Sequence, residues 1–231
     1  MGTESRISHL NNIPFSNENT RLVRVIWTPA QIPDTAMMGV EQTQYLPGGR
    51  GATHSDDRSE EIIYFRQGRG QVQLGDKVVE VGPGSIVAIP KDVVHTVRNT
   101  GPDLLEHVLV TGNLTLGSLP HSPLPPSLDY LIKDTENGLK RLSAFRLEIP
   151  PGGETAPLTT LDRESVYVPS SGYLVAKVRT HDFLYDFEYA LNAGTSLWVP
   201  AGPRHSFRNI GDTTAVVIGF FCLARPDVRI N

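Results

Sequence analysis

The chain contains a single cysteine, Cys222, in 231 residues. That scarcity removes internal disulfides and every metal site built on several thiolates. Cys222 sits in a Phe-Phe-Cys-Leu run and reads as a small, buried apolar residue. Helix-period apolar patterns are almost absent, and only Ser127-Leu-Asp-Tyr-Leu-Ile-Lys133 suits a short helix. Basic runs are missing as well. With 21 Lys and Arg against 25 Asp and Glu, the net charge is -4, which argues against nucleic acid or an anionic membrane as the main partner. No apolar stretch approaches the ~20 residues of a membrane span. The opening Met-Gly-Thr-Glu-Ser-Arg lacks the basic-then-apolar order of a signal peptide and the hydroxyl residue of a myristoylation site. The expectation is a soluble, cytoplasmic protein.

What is plentiful is glycine (21) and proline (18), with short β-branched runs between them. Glu61–Arg66, Gly70–Leu74, Val78–Val81, Ile86–Ile89 and Glu106–Val110 read as strands; so do Arg141–Ile149, Tyr173–Val178 and Ala215–Phe221. Gly75-Asp76 marks a hairpin turn. Short strands at regular spacing indicate an all-β sandwich or barrel. Leu116 to Pro126 holds four prolines and no periodicity, so the linker is placed there and the units at 1–125 and 126–231. The first ~20 residues, polar and Asn-rich, either fray or add a strand to a sheet edge.

One segment occurs twice. Gly84-Ser-Ile-Val-Ala-Ile-Pro90, then Asp92, His95, Arg98, Asn99 and Gly101, returns as Gly194-Thr-Ser-Leu-Trp-Val-Pro200, then Gly202, His205, Arg208, Asn209 and Gly211. A duplicated unit that fixes a histidine in register aims two imidazoles at equivalent places. Upstream of the first copy lies Pro47-Gly48-Gly49, then His54, Asp56, Glu60 and Glu61. On an extended strand His54 and Asp56 share a face. Imidazole and carboxylate on adjacent strands suit a hard or borderline divalent ion: iron, manganese, zinc or nickel.

These residues resemble the cupin superfamily. Gly48, five residues, His54-x-Asp56, four residues, Glu61, six residues and Gly68 follow the family's first motif, with Asp56 replacing its second histidine. Gly84, Pro90, Asp92, His95 and Asn99 follow the second motif, with Asp92 where glycine is usual. The resemblance covers both halves and implies a bicupin, two tandem double-stranded β-helix (jelly-roll) barrels. It implies His54, Glu61 and His95 as ligands of one metal ion in the first barrel. Asp56 is then a fourth ligand, a general base or an acceptor for a histidine N–H. Glu61 is preferred to Glu60 by its spacing to Gly68, which leaves Glu60 facing outward. Of Glu106 and His107 one faces the lumen, and Gln42 and Gln44 are placed there by alternation. His121 falls in the linker and carries no role.

In the second copy Pro151-Gly152-Gly153 repeats, Glu164 is aligned with Glu61, and Leu158 and Thr160 stand in the histidine positions. His205 is expected to bond Glu164 or to fill the barrel, with no metal there. His181–Tyr189 carries four aromatics and is read as a hairpin packing them on the core.

The favoured function is a metal-dependent enzyme acting on a small organic molecule in the first barrel. Two histidines and one carboxylate are the ligand set of oxygen-activating non-heme iron, which tips the reading toward a dioxygenase over an isomerase, cyclase or lyase. The alternative is a non-catalytic bicupin that binds a small molecule or scaffolds a partner. Monomer and homodimer are both compatible.

Overall fold

The computed structural model describes residues 4–117, 122–179 and 184–226; His121, Asp182 and Phe183 lie outside them. Among the described residues the chain is strand and turn, with one single-turn 3-10 helix at Leu10–Asn12. The first half holds β1 (Arg6–His9), β2 (Ser16–Glu18), β3 (Arg21–Trp27), β4 (Met37–Tyr45) and β5 (Ser59–Gln67). It continues through β6 (Gly70–Leu74), β7 (Lys77–Val81), β8 (Ile86–Ile89), β9 (His95–Asn99) and β10 (Leu105–Asn113). The second half holds β11 (Asp129–Ile132), β12 (Leu142–Ile149), β13 (Arg163–Ser171) and β14 (Leu174–Arg179). Then come β15 (Asp186–Leu191), β16 (Thr195–Val199), β17 (His205–Asn209) and β18 (Ala215–Leu223).

Each half pairs a six-stranded sheet with a three-stranded one: β2-β3-β4-β10-β5-β8 with β7-β6-β9, and β1-β16-β13-β18-β12-β11 with β15-β14-β17. The expected segments are strands, and Leu74 pairs with Lys77 around the Gly75-Asp76 turn. The segment read as a helix is instead β11, antiparallel to β12. It lies on the edge of a sheet that buries Ile132, so tertiary packing overrides a weak local preference. The N-terminal segment does add strands, and β1 goes to the other half: Arg6–His9 pair with Trp198–Thr195 of β16.

Alternation along β5 sorts the interior into layers. Ile62 and Tyr64 point into a core between the two large sheets, shared with Ile26, Val108 and Val110 and, from the second half, Val166, Val168, Trp198 and Phe220. Ile63 and Phe65 point the other way, into the first barrel with Tyr45, Val72, Val97 and Leu105. Tyr167, Phe207 and Phe221 fill the second barrel. Each such side chain, fully buried, contributes roughly 1.5–3 kcal/mol.

The repeated asparagines tie off each barrel. Asn99 Nδ2 donates to the Tyr45 and Asp103 carbonyls while its Oδ1 accepts from Gly101 N–H. Asn209 makes the same three contacts with Ile149, Thr213 and Gly211. This explains why Asn and the closing Gly recur in register. Asp92, where glycine is usual, has φ +64°, matching the positive φ of Gly202; aspartate tolerates this region better than most residues.

Candidate metal centre

Alternation decides the faces of the site strands. With Ile63 and Phe65 in the lumen, Glu61 is on the lumen side of β5 and Glu60 is on the opposite side. Pro90 ends β8, and a turn returns the chain as β9, whose first residue is His95. The incoming segment pairs with it: His54 N–H donates to the His95 carbonyl (3.1 Å) and His95 N–H to the His54 carbonyl (2.8 Å). That bridge brings the two imidazoles together, centroids 4.3 Å apart. One ligand atom from each of His54, Glu61 and His95 falls within 4.8 Å of the others.

The rings are oriented for coordination. Nδ1 of His54 donates to the Ala52 carbonyl at 3.1 Å and Nδ1 of His95 to the Val93 carbonyl at 3.0 Å. A carbonyl can only accept, so the proton sits on Nδ1 and each Nε2 is turned to the site. His95 Nε2 lies 3.2 Å from Glu61 Oε2. Two donors each about 2.1 Å from one ion are roughly 3 Å apart when they subtend a right angle, so the pair fits a single divalent cation. Burial lowers the pKa of His95, but the bond to Glu61 and the Val93 carbonyl outweigh it and raise it overall. His54 is exposed and His95 buried; the cluster therefore sits at a mouth, with solvent on one side and the apolar lumen on the other.

Asp56 is not brought into this group. Its Oδ1 accepts from Arg58 N–H at 2.7 Å and its carbonyl from Asp92 N–H. The first bond, against a small burial penalty, holds its pKa low. Gln42 and Gln44 are not lumen residues either. Val40 on the same face belongs to the inter-sheet core, and Gln42 accepts from Arg24 while Gln44 donates to Glu106. The lumen face of β4 is Gly39, Glu41, Thr43 and Tyr45. The Glu41 carboxylate folds back beside Gly39, whose absent Cβ would stand 3.9 Å from it. Gly39 shares a cross-strand row with Thr111 and Glu61. Burial raises the Glu41 pKa, with Arg21 opposing and Glu18 and Glu61 adding to it. Starting the alternation from Tyr45 rather than from the glutamines finds this residue. His107, not Glu106, faces the lumen, between Tyr45 and Phe65. Glu106 instead pairs with Arg66.

The second barrel differs, and strand register corrects one alignment. Glu61 pairs with Ile89 and Ser165 with Val199, each just before the repeated proline. Ser165 therefore stands where Glu61 stands, and Glu164 matches Glu60. Both of these glutamates cross to the other half. Glu60 accepts from the N–H groups of Lys140, Arg141 and Leu142. Glu164 accepts from Ala36 N–H, Thr35 Oγ1 and Trp198 Nε1. Glu60 thus faces away from the lumen as expected, but into protein rather than water, at 1 % exposure. Burial raises both carboxyl pKa values against these bonds.

His205 bonds the Tyr167 hydroxyl at 2.5 Å rather than Glu164. Its Nδ1 again donates to a carbonyl, that of Pro203, so the hydroxyl donates to Nε2. Leu158 takes the place of His54 in the bridge to His205. The hairpin forms, with β15 on β14; yet Tyr185 and Phe187 are exposed, and among its described aromatics only Tyr189 packs against the core, its hydroxyl meeting Ser5.

Two antiparallel barrels in tandem, one with a two-histidine, one-carboxylate cluster at its mouth, define the class: a duplicated β-barrel protein with a candidate metal centre in its first barrel. Models of the cupin domain match residues 42–111 and of cupin residues 134–229. The chain belongs to the cupin superfamily and is a bicupin. It is 34% identical over 99 residues to Protein SchB of Streptomyces halstedii, across 42% of this chain and 70% of that protein. Its fold is similar to Lactobacillus farciminis oxalate decarboxylase in a formate complex (TM-score 0.79, 16% identity, 97% of this chain, 88% of that one). It is also similar to Bacillus subtilis oxalate decarboxylase in a study of its Mn(II) centres (TM-score 0.75, 15% identity, 97% and 78%). No helix among the described residues is long and apolar enough to cross a membrane.

Proposed function

We propose that this bicupin is a metal-dependent enzyme acting on a small organic molecule at the first barrel. His54, Glu61 and His95 would hold one divalent ion, and residues 1–125 and 126–231 would form the two units. The observation that carries the reading is the orientation of both imidazoles by the Ala52 and Val93 carbonyls toward Glu61. A bound ion would supply Lewis acidity, and with iron the activation of dioxygen.

The chain's own groups have separable tasks. The two Nδ1–H bonds fix the rings, so no reorganisation is needed when a ligand arrives. Ile63 and Ile89, buried in the first barrel, exclude water below the site. Glu41 can hold or release a proton beside the bound molecule, because burial keeps it easier to protonate than a free glutamate. Asp56 stays outside the ligand set and shapes the turn through Arg58 N–H. Three protein ligands, rather than four, leave coordination positions for both substrate and dioxygen, which favours a dioxygenase with iron. The second reading, a manganese-dependent decarboxylase or related lyase, draws on the fold likeness to oxalate decarboxylases.

Metal analysis followed by turnover in an oxygen electrode, across a panel of small carbonyl and carboxylate compounds, separates the two. Oxygen uptake that tracks iron content supports the first reading. Turnover unchanged under nitrogen overturns it in favour of the second.

A further inference from the structure

We propose a second small-molecule site, on the outer face of the β7-β6-β9 sheet: an oxyanion cleft built on Arg50 and Arg98. This cleft, about 140 Å³, is lined by Arg50, Gln71, Gln73, Val78, Thr96 and Arg98. Val72 and Val97 of the same strands point into the barrel, so the cleft lies on the far side of the sheet from the candidate metal.

Arg50 and Arg98 are paired directly across a β-bridge, an arrangement in which like charges repel. Neither makes an ion pair within 4.0 Å among the described residues, and Arg50 reaches only Thr53 Oγ1, at 3.5 Å. The nearest acid in the same cross-strand row, Glu80, is engaged by the Gln71 amide. Two guanidiniums without an ion-pair partner among the described residues flank the cleft, and no carboxylate lines it.

The duplicated half provides an internal control. There the corresponding bridge joins Glu154 to Arg208, opposite charges, and Glu154 also accepts from Ser206. A cleft that overlaps the equivalent position is lined by Lys177, Arg179, Arg204 and His205 with Glu154 and Asp186. Asp186 pairs with Lys177 at 3.0 Å and Arg179 at 2.9 Å. The equivalent strands thus supply acids that pair with their cations in one copy, while no acid lines the cleft in the other.

Guanidiniums bind carboxylates and phosphates through paired N–H donors. The cleft holds several water-sized spheres and opens to solvent, so it has room for inorganic phosphate or a short dicarboxylate. Gln71, Gln73 and Thr96 add polar atoms to the wall, while Val78 leaves one side apolar.

Isothermal titration calorimetry on the full chain, with phosphate and with malonate at matched ionic strength, tests the site. One anion per chain is expected, and the tighter of the two identifies a phosphate or a carboxylate ligand. Arg98→Gln should weaken binding by about tenfold or more. Arg50→Glu, which recreates the opposite-charge bridge of the second half, should abolish it, both variants keeping the parent unfolding midpoint. No heat beyond dilution with either anion overturns the proposal. So does binding that both variants retain, because the anion then sits elsewhere.

Discussion

Glu60 and Glu61 are adjacent in sequence and should fail in opposite ways when altered. Glu60 Oε1 accepts from Arg141 N–H at 2.8 Å and Leu142 N–H at 2.7 Å, and Oε2 from Lys140 N–H at 2.8 Å. In Glu60→Gln one oxygen survives without its charge, and an amide N–H now faces the Lys140 N–H. An orphaned buried donor costs ~1–3 kcal/mol, while removing a buried charge recovers part of the desolvation that already raises this carboxyl's pKa. A net loss of about 2 kcal/mol follows, which for a chain of this size lowers the unfolding midpoint by roughly 4–8 °C. Glu60→Ala exposes all three donors and should cost about twice as much. Metal content should be unchanged in both, because the side chain faces the other half. Glu61→Gln should behave in reverse, losing metal while the metal-free midpoint moves by less than about 2 °C. Differential scanning calorimetry on metal-free protein, with metal content measured in parallel, reads both quantities. Metal loss in Glu60→Gln with an unmoved midpoint would refute the assignment of faces.

Acid should destabilise the fold through two buried histidines. Burial pushes His205 down to about 4 and His107 to about 3, so the unfolded chain takes up protons below pH ~6.5 that the folded chain refuses. Their stabilising share is therefore full above ~6.5 and falls as pH drops toward 4, by ~1.4 kcal/mol per unit for each. His107 has no hydrogen-bond partner on either ring nitrogen among the described residues; His107→Phe should flatten the acid limb of a midpoint-against-pH curve, and parallel curves would contradict this. Tyr167→Phe leaves His205 Nε2 without its donor and should cost ~1–3 kcal/mol in urea unfolding, with metal content unaltered. Asp56→Ala should retain the metal at the parent stoichiometry; loss of the ion would return Asp56 to the ligand set.

Much of this was legible in the residues. The Gly–Pro–His–Asn repeat predicts two copies of one barrel, and the asparagine contacts supply its physical cause. His54, Glu61 and His95 could be chosen by spacing because each is anchored to a turn the motif specifies. What stayed hidden is what spacing does not encode. A shift of one residue exchanges the faces of a strand, so the motif aligns Glu164 with Glu61 although its pairing matches Glu60. The same period-two ambiguity put Gln42 rather than Glu41 in the lumen. The crossing of β1 to β16, and the roles of Glu60 and Glu164 at the junction of the halves, are long-range contacts with no local signature. Ser127–Lys133 held too few residues for its pattern to separate a helix from an edge strand.

The asymmetry of the two halves is the central claim, and anomalous scattering from a crystal of the metal-loaded protein tests it most directly. One peak per chain is expected, bounded by His54, Glu61 and His95, and none beside His205, where Tyr167, Leu158 and Ser165 stand. A peak in the second barrel, or one in the first that includes Asp56 and omits Glu61, would contradict it.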